Sequence, residues 1–260
     1  MSHRNLPPRT ALVTGAADRI AAGIAKALAA AGWQVVIHYR ASAEKAQATA
    51  AKIDASGGSA ALVQADLASR PERAGLIGRA AELLGPLTLL VNNASTYGRD
   101  SVADLDEQGW DAHFALHAEA PAFLARDFAA QLPPETDGNI VNIIDERVLD
   151  LSPAYFSYTL SKSVLWTMTR TLAQSLAPRI RVNAISPGLS IAPVGVDPIS
   201  FSHRQAELPL GRAGDAEEIA QALLAILHMP TLTGQMLTLD GGEHLAWPEG
   251  RGPTPRRSPK

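Results

Sequence analysis

The chain has 260 residues, of which 46% are hydrophobic and 19% charged, with a formal net charge of −3. Its apolar runs are too short to span a bilayer, and the mild negative charge gives no electrostatic case for nucleic acid, so one globular domain is the expectation. The absence of cysteine excludes disulfides, thiolate metal sites and a cysteine nucleophile.

Short β-branched apolar runs alternate with Ala/Leu-rich helical patterns from Thr10 to Leu239, with no linker-like break and no internal repeat. In chain order the pattern predicts strand Thr10–Thr14, helix Arg19–Ala31, strand Gln34–Tyr39, helix Ala43–Ala55, strand Ala60–Gln64 and helix Arg70–Leu84. Strand Leu87–Asn92, helix Leu105–Gln131, strand Gly138–Ile144, helix Ser157–Ala177, strand Arg181–Ser186, helix Asp215–Met229 and strand Gln235–Leu239 follow. Residues Gly188 to Leu210 read as loop. The expected fold is an α/β, Rossmann-type, doubly wound parallel sheet of about seven strands with helices on both faces and ligands at the carboxyl ends of the strands. The domain is expected to occupy 1–247, with a disordered Pro/Arg-rich tail at 248–260. The N-terminus lacks the apolar stretch of a signal peptide, so a cytoplasmic location is expected.

Three residues point to proton chemistry. Asp145, Tyr158 and Lys162 stand at i, i+13 and i+17, the last two on one face of a predicted helix. An ammonium beside a phenol stabilises the phenolate and is expected to lower the tyrosine pKa towards the working range of a general acid/base. Upstream, Thr14 to Ala25 reads TGAADRIAAGIA: Gly15 turns the first strand into a helix whose N-terminus can receive a phosphate, and Arg19 adds a guanidinium there. After the second strand the chain reads His38-Tyr39-Arg40-Ala41-Ser42, with no acid for ribose hydroxyls. Arg40 and Ser42 suit a 2′-phosphate, which favours NADPH/NADP+ over NAD(H), and Ser42 can also cap the next helix. Asp66 can accept from an adenine amino group or cap a turn. His113 and His117 are spaced i, i+4, but no third ligand follows at a recognisable spacing, so no metal site is expected.

Together T-G-x-x-x at Thr14, Asp66-Leu67, Asn92-Asn93-Ala94, Y-x-x-x-K at Tyr158, R-V-N-x-I-x-P-G at Arg181 and T-G-x-x-x-x-x-D-G-G at Thr233 resemble the short-chain dehydrogenase/reductase family over nearly the whole chain. The usual catalytic serine of that family would fall at Asp145. With TGAADRI, HYR-x-S, NNAS-x-Y and PGLS, this substitution resembles the pteridine reductase branch, including dihydromonapterin and dihydrofolate reductases. The resemblance implies reduction of a C=N bond of a pterin or folate by NADPH, with Asp145, Tyr158 and Lys162 catalytic. It implies a cofactor site of Gly15, Arg19, Ile20, His38, Tyr39, Arg40, Ser42, Asp66, Leu67, Asn93, Ala94, Ser95, Tyr158, Lys162, Pro187, Gly188 and Ser190. It also implies a substrate site of Ser95, Tyr97, Asp145 and Tyr158, with Tyr97 stacked on the pterin. His117 stands where the family commonly has an asparagine that extends a proton relay to the lysine; a core-packing role is the alternative. Helices of this family pair between subunits, so a homotetramer or homodimer is expected. Two other readings are an ordinary carbonyl or 3-oxoacyl reductase, which Asp145 disfavours, and a non-catalytic NADP-binding regulator, which the intact Tyr158 and Lys162 disfavour.

Overall fold

Alternation along the strands decides which side chains serve which layer. The computed structural model describes residues 9–190 and 197–245, so the expected 248–260 tail lies outside the described residues. Its strands are β1 (Thr10–Val13), β2 (Gln34–Tyr39), β3 (Ser59–Gln64), β4 (Leu89–Asn92), β5 (Gly138–Ile143), β6 (Ile180–Pro187) and β7 (Met236–Leu239). They form one parallel sheet in the order β3-β2-β1-β4-β5-β6-β7. Ala11, Val13, Val35, Ile37, Leu89 and Val91 point to one face, and Leu12, Val36 and Leu90 to the other, all fully buried.

The helices are α1 (Arg19–Ala30), α2 (Ala43–Ala55), α3 (Arg70–Arg73), α4 (Leu76–Leu84), α5 (Glu107–Phe114), α6 (Ala120–Gln131), α7 (Phe156–Leu176), α8 (Pro198–Glu207) and α9 (Ala216–His228). Ile24 and Leu28 of α1, Ile53 of α2, and Ile219, Leu223 and Ile226 of α9 cover the first face. Leu76 and Ile77 of α4, Leu124 and Phe128 of α6, and Ala173 of α7 cover the second. A Cβ on Gly23 would stand 2.9 Å from that of Ala216, so this glycine sets how closely α1 approaches α9. Because β1 lies between β2 and β4, the chain leaves its carboxyl end in opposite directions, and the crevice opens there.

Three expected elements differ from those observed. The helix expected at Arg70–Leu84 breaks at Gly75, which takes φ 71; the break lets the buried Arg73 guanidinium bond Leu67 O at 2.7 Å and Glu119 at 2.5 Å. The helix expected at Leu105–Gln131 starts at Glu107 and carries a π-helical turn at Ala115–Glu119. Pro121 explains the turn: it has no N–H for the His117 carbonyl, and its ring would crowd that carbonyl, so the chain widens until Ala120 N–H bonds Ala115 O, five residues back. The loop expected over Gly188 to Leu210 contains α8, started by Asp197, which accepts from Ser200 N–H at 2.9 Å, and by Pro198 in the first turn.

His38 ties the open end of the sheet together. Its Nδ1 accepts from Gly15 N–H at 3.0 Å and its Nε2 lies 3.0 Å from Ala65 O, to which it donates in the same neutral tautomer. Burial lowers its pKa to about 4. A lowered folded-state pKa gives stability that is present above the unfolded value of 6.5 and is lost as pH falls from there towards about 4. Denaturant titrations of wild type and His38→Gln should therefore show the wild-type advantage at neutral pH shrinking on acidification, by up to about 3 kcal/mol over that window. A pH-independent gap would remove His38 as the acid-sensitive tie.

Candidate active site

The carboxyl ends of β1, β2, β4, β5 and β6 frame a cleft of about 810 Å³. Gly15, Arg19, Ile20, His38, Tyr39, Arg40, Ser42, Asp66, Leu67, Asn93, Ala94, Ser95, Tyr97, Asp145, Tyr158, Lys162, Pro187, Gly188 and Ser190 all line it. The sequence-predicted residues thus come together in one place.

At the β1 end, Gly15 takes φ +66, and a Cβ there would stand 3.0 Å from Ala94 Cα. Thr14 Oγ1 accepts from Asn93 N–H at 2.9 Å and Ala94 N–H at 3.0 Å, while Asn93 Nδ2 donates to Thr14 O at 3.1 Å. These bonds hold the β1 and β4 loops on either side of the crevice mouth. Arg19 takes φ 58, where a non-glycine residue carries a strain of about 1–2 kcal/mol. Asp18 caps α1 through Arg19 N–H and pairs with Lys45 at 2.5 Å, and this pairing holds its carboxyl below the usual range. Arg40 and Ser42 are exposed at the β2 end, and Ser42 makes no side-chain cap bond to α2, contrary to the capping alternative. Asp66 Oδ1 accepts from Ala68 N–H at 2.9 Å, a turn-capping role.

The deep end holds the proton-bearing groups. Tyr158 O–H donates to Asp145 Oδ2 at 2.7 Å, and Asp145 Oδ1 accepts from Arg147 N–H at 3.1 Å. Lys162 is buried with its Nζ donating to Ile143 O at 2.9 Å, 5.8 Å from the Tyr158 ring centroid. Burial lowers the lysine to about 8. The expectation of a lowered phenol pKa is corrected here: burial, then the charge and hydrogen bond of Asp145, push Tyr158 well above its ordinary value. The physical reason is that a phenolate would sit out of water against a carboxyl group, while the ammonium is spent on a backbone carbonyl. Tyr158 is a protonated donor.

Residues absent from the sequence reading share this end of the cleft. Glu146 is buried beside Asp145, and burial together with that neighbour pushes it up to about 10. Arg147 lies 3.7 Å from Glu146 and 4.0 Å from Asp145 by its nitrogens, with its guanidinium 4.2 Å from the Tyr155 ring centroid. Glu243, from the turn after β7, and Arg204 of α8 face one another at 3.8 Å and also line the cleft. Two consecutive acids at a strand end were a legible signal for Glu146; Arg204 and Glu243 are joined only by the fold. Tyr97 is half-exposed, edge-on to Tyr158 at 4.9 Å and 5.0 Å from Tyr155.

Beneath Tyr158, the His113 and His117 rings stack at 5.8 Å and both meet the phenol edge-on. His113 Nδ1 lies 2.7 Å from Ser157 Oγ, whose hydroxyl bonds Asp100. His117 contacts Ser161 and Ser95; the lysine it was expected to serve bonds Ile143 O instead. Among the described residues no three His, Cys, Asp or Glu side chains gather as metal ligands, and no helix is long and apolar enough to cross a membrane.

Two solved structures share this architecture over almost the whole chain. Alternative dihydrofolate reductase 1, FolM, from Brucella canis, complexed with NADP, is 46% identical with a TM-score of 0.89, covering 96% of this chain and 97% of its own. The Brucella suis FolM, also in complex with NADP, is 48% identical with a TM-score of 0.89, covering 95% and 97%. Pteridine reductase 1 of Leishmania tarentolae is 34% identical over 90% of this chain and 96% of its own. Residues 15–244 match a family model described as enoyl-(acyl carrier protein) reductase. With the glycine turn, the Asn93 brace and the Tyr158–Lys162 pair on one parallel sheet, the chain belongs to the short-chain dehydrogenase/reductase family.

Proposed function

We propose that the protein is an NADPH-dependent reductase of a C=N bond in a pterin or dihydrofolate ring, with Asp145, Tyr158 and Lys162 handling protons. The observation that carries this reading is the 2.7 Å hydrogen bond from Tyr158 to Asp145, at the position where a carbonyl reductase of this family has serine. The similarity to NADP-complexed FolM and to a pteridine reductase supports it.

The cleft fits the cofactor. Gly15 lets the β1 turn pass close against Ala94 ahead of the α1 N-terminus, which can receive a phosphate; Arg19 lines the same cleft, and Arg40 and Ser42 offer a cation and a hydroxyl to a 2′-phosphate. Asn93, Ala94 and Ser95 on one wall and Pro187, Gly188 and Ser190 on the other flank the inner end. When bound, the cofactor supplies a hydride to the carbon of the C=N bond. The nitrogen then holds the displaced π pair and takes a proton. Tyr158, kept protonated by burial, donates it directly, or the Tyr158–Asp145 pair passes it through a water; the open cleft mouth resupplies it. Lys162, fixed on Ile143 O, would hold the ribose of the cofactor and balance the charge left on the pair. Tyr97 offers a half-exposed π-face to a flat heterocycle.

Assembly into a dimer or tetramer belongs to this reading, supported by the exposed apolar side chains Phe123 on α6 and Leu160 and Val164 on α7. A cytoplasmic location, where the reduced cofactor is available, belongs to it as well.

Arg40→Ala should weaken NADPH binding roughly ten- to a hundredfold, the loss of one charge-assisted phosphate contact, while leaving NADH little changed. Titration with both cofactors checks this, and equal weakening of the two would transfer the 2′-phosphate to other residues. Asp145→Ser should lower kcat/KM for dihydropterin or dihydrofolate about 10²–10⁴-fold while a ketone panel is affected least. Unaltered kcat/KM on every pterin and folate would leave Asp145 as a loop cap and the reading without its main support.

The neutral Glu146 gives a third outcome. A folded-state pKa raised from 4.5 to about 10 means stability present at low pH and lost progressively as pH rises between those values. Glu146→Gln, which keeps the shape and cannot ionise, should gain stability relative to wild type between pH 5 and pH 9 in chemical denaturation. A gap that stays constant or closes in the opposite sense would show Glu146 to be charged in the fold.

A further inference from the structure

We propose that His117 is a positioning residue that claims the hydroxyl proton of Ser95, so that Ser95 offers only lone pairs to the cleft and the ligand atom seated on it is an N–H or O–H donor. This rests on the reductase reading above and narrows its substrate class.

The hydrogen-bond directions follow from groups that have no choice. Thr96 N–H points at His117 Nε2 at 3.3 Å, and a backbone N–H only donates, so Nε2 is the bare, accepting nitrogen. Ser95 Oγ lies 2.8 Å from the same Nε2. With no proton on the nitrogen, that contact requires the hydroxyl proton to lie along it; otherwise two lone pairs would meet at that distance. The alternative acceptor for the Ser95 proton, Thr96 O, is farther away at 3.2 Å. The neutral ring must then carry its proton on Nδ1, 2.8 Å from Ser161 Oγ, and Ser161 in turn donates to Tyr158 O at 2.7 Å. Every hydrogen in this chain has one consistent place. The ring is almost wholly buried, and burial with the nearby Lys162 charge holds its pKa well below the usual imidazole range, which keeps it in the neutral form.

The backbone fixes the ring. His117 sits in the π-helical turn that Pro121 imposes, and its ring is wedged between the His113 ring and the edge of Tyr158. Ser95 is exposed and lines the cleft, so its lone pairs face the ligand space. An amino or lactam N–H edge of a pterin or folate ring satisfies such an acceptor. The carbonyl oxygen of a 3-oxoacyl group does not, and would meet lone pairs instead.

The tautomer can be read without any substrate. In the full-length protein with ¹⁵N-labelled histidine at neutral pH, assigned with His117→Phe, the His117 Nδ1 should resonate as protonated and Nε2 as bare; a protonated Nε2 or a cationic ring overturns the proposal. The ligand half is tested with a dihydropterin and its analogue methylated at the ring and amino nitrogens. Wild type should show KM for the methylated analogue raised about tenfold, the loss of one hydrogen bond to Ser95, with NADPH affinity unchanged. His117→Phe should lose that discrimination, and His117→Gln, whose amide oxygen can take both donors, should restore it. Equal discrimination by wild type and His117→Phe overturns the assignment even where the tautomer is as stated. If wild type reduces no pterin or folate, the reductase reading falls and the tautomer measurement decides the role of His117 alone.

Discussion

A phenol, two carboxyl groups and an ammonium share the deep end of the cleft, and the expense of charge there governs the protonation of the site. Tyr158 spends its hydrogen on Asp145, and Glu146, a residue further on, is held neutral by the same surroundings. The ammonium of Lys162 is pinned to Ile143 O, and burial makes it easier to discharge. A site in which both phenol and Glu146 keep their protons is set up to give protons away, which matches reduction better than oxidation.

The sheet makes this arrangement possible. Parallel strands covered on both faces are mostly apolar, and the crossing of the chain on either side of β1 opens their carboxyl ends to solvent. Asp145 stands two residues past β5, and Tyr158 and Lys162 stand one turn apart at the start of α7, so Tyr158 reaches Asp145 while Lys162 bonds the last carbonyl of the strand. Farther inside, Asn92 Nδ2 donates to Asn142 Oδ1 at 2.9 Å, and Asn142 Nδ2 to Thr169 Oγ1 at 2.8 Å, which ties β4, β5 and α7 together.

Much of this was legible before any coordinates. Short apolar, β-branched runs give every strand, and the Gly15 turn, the missing acid after Tyr39 and the Asp145–Tyr158–Lys162 spacing all lie on local stretches of chain. What was not legible depends on three-dimensional surroundings. The direction of the Tyr158 shift could not be read from its spacing to Lys162, because the sign is set by burial and by which neighbour the ammonium bonds. Arg204 and Glu243 stand 39 positions apart in the chain (243 − 204), and only folding brings them together. The helix α8 has a legible start in Asp197-Pro198, but its mostly polar sequence carries too few apolar residues to mark a core-facing helix.

Pro121 shows how a local rule, broken, can mark a functional place. Read as part of one long helix, it is a residue that should not be there, and the chain answers it with a π turn rather than a kink or a stop. That turn lies where His113 and His117 stack beneath Tyr158 and where His117 reaches Ser95 on the cleft wall. An unbroken α-helix would place the residues beyond Glu119 about a hundred degrees differently around the axis relative to those before Ala115, with the turn itself taking up the difference. The proline therefore acts on the cleft at a distance, through the backbone, by aiming a buried imidazole. The same geometry gives His117 a role that its identity alone did not disclose: surrounded by a backbone donor, two hydroxyls and a phenol edge, it is the residue that decides which way the hydrogens of the wall point.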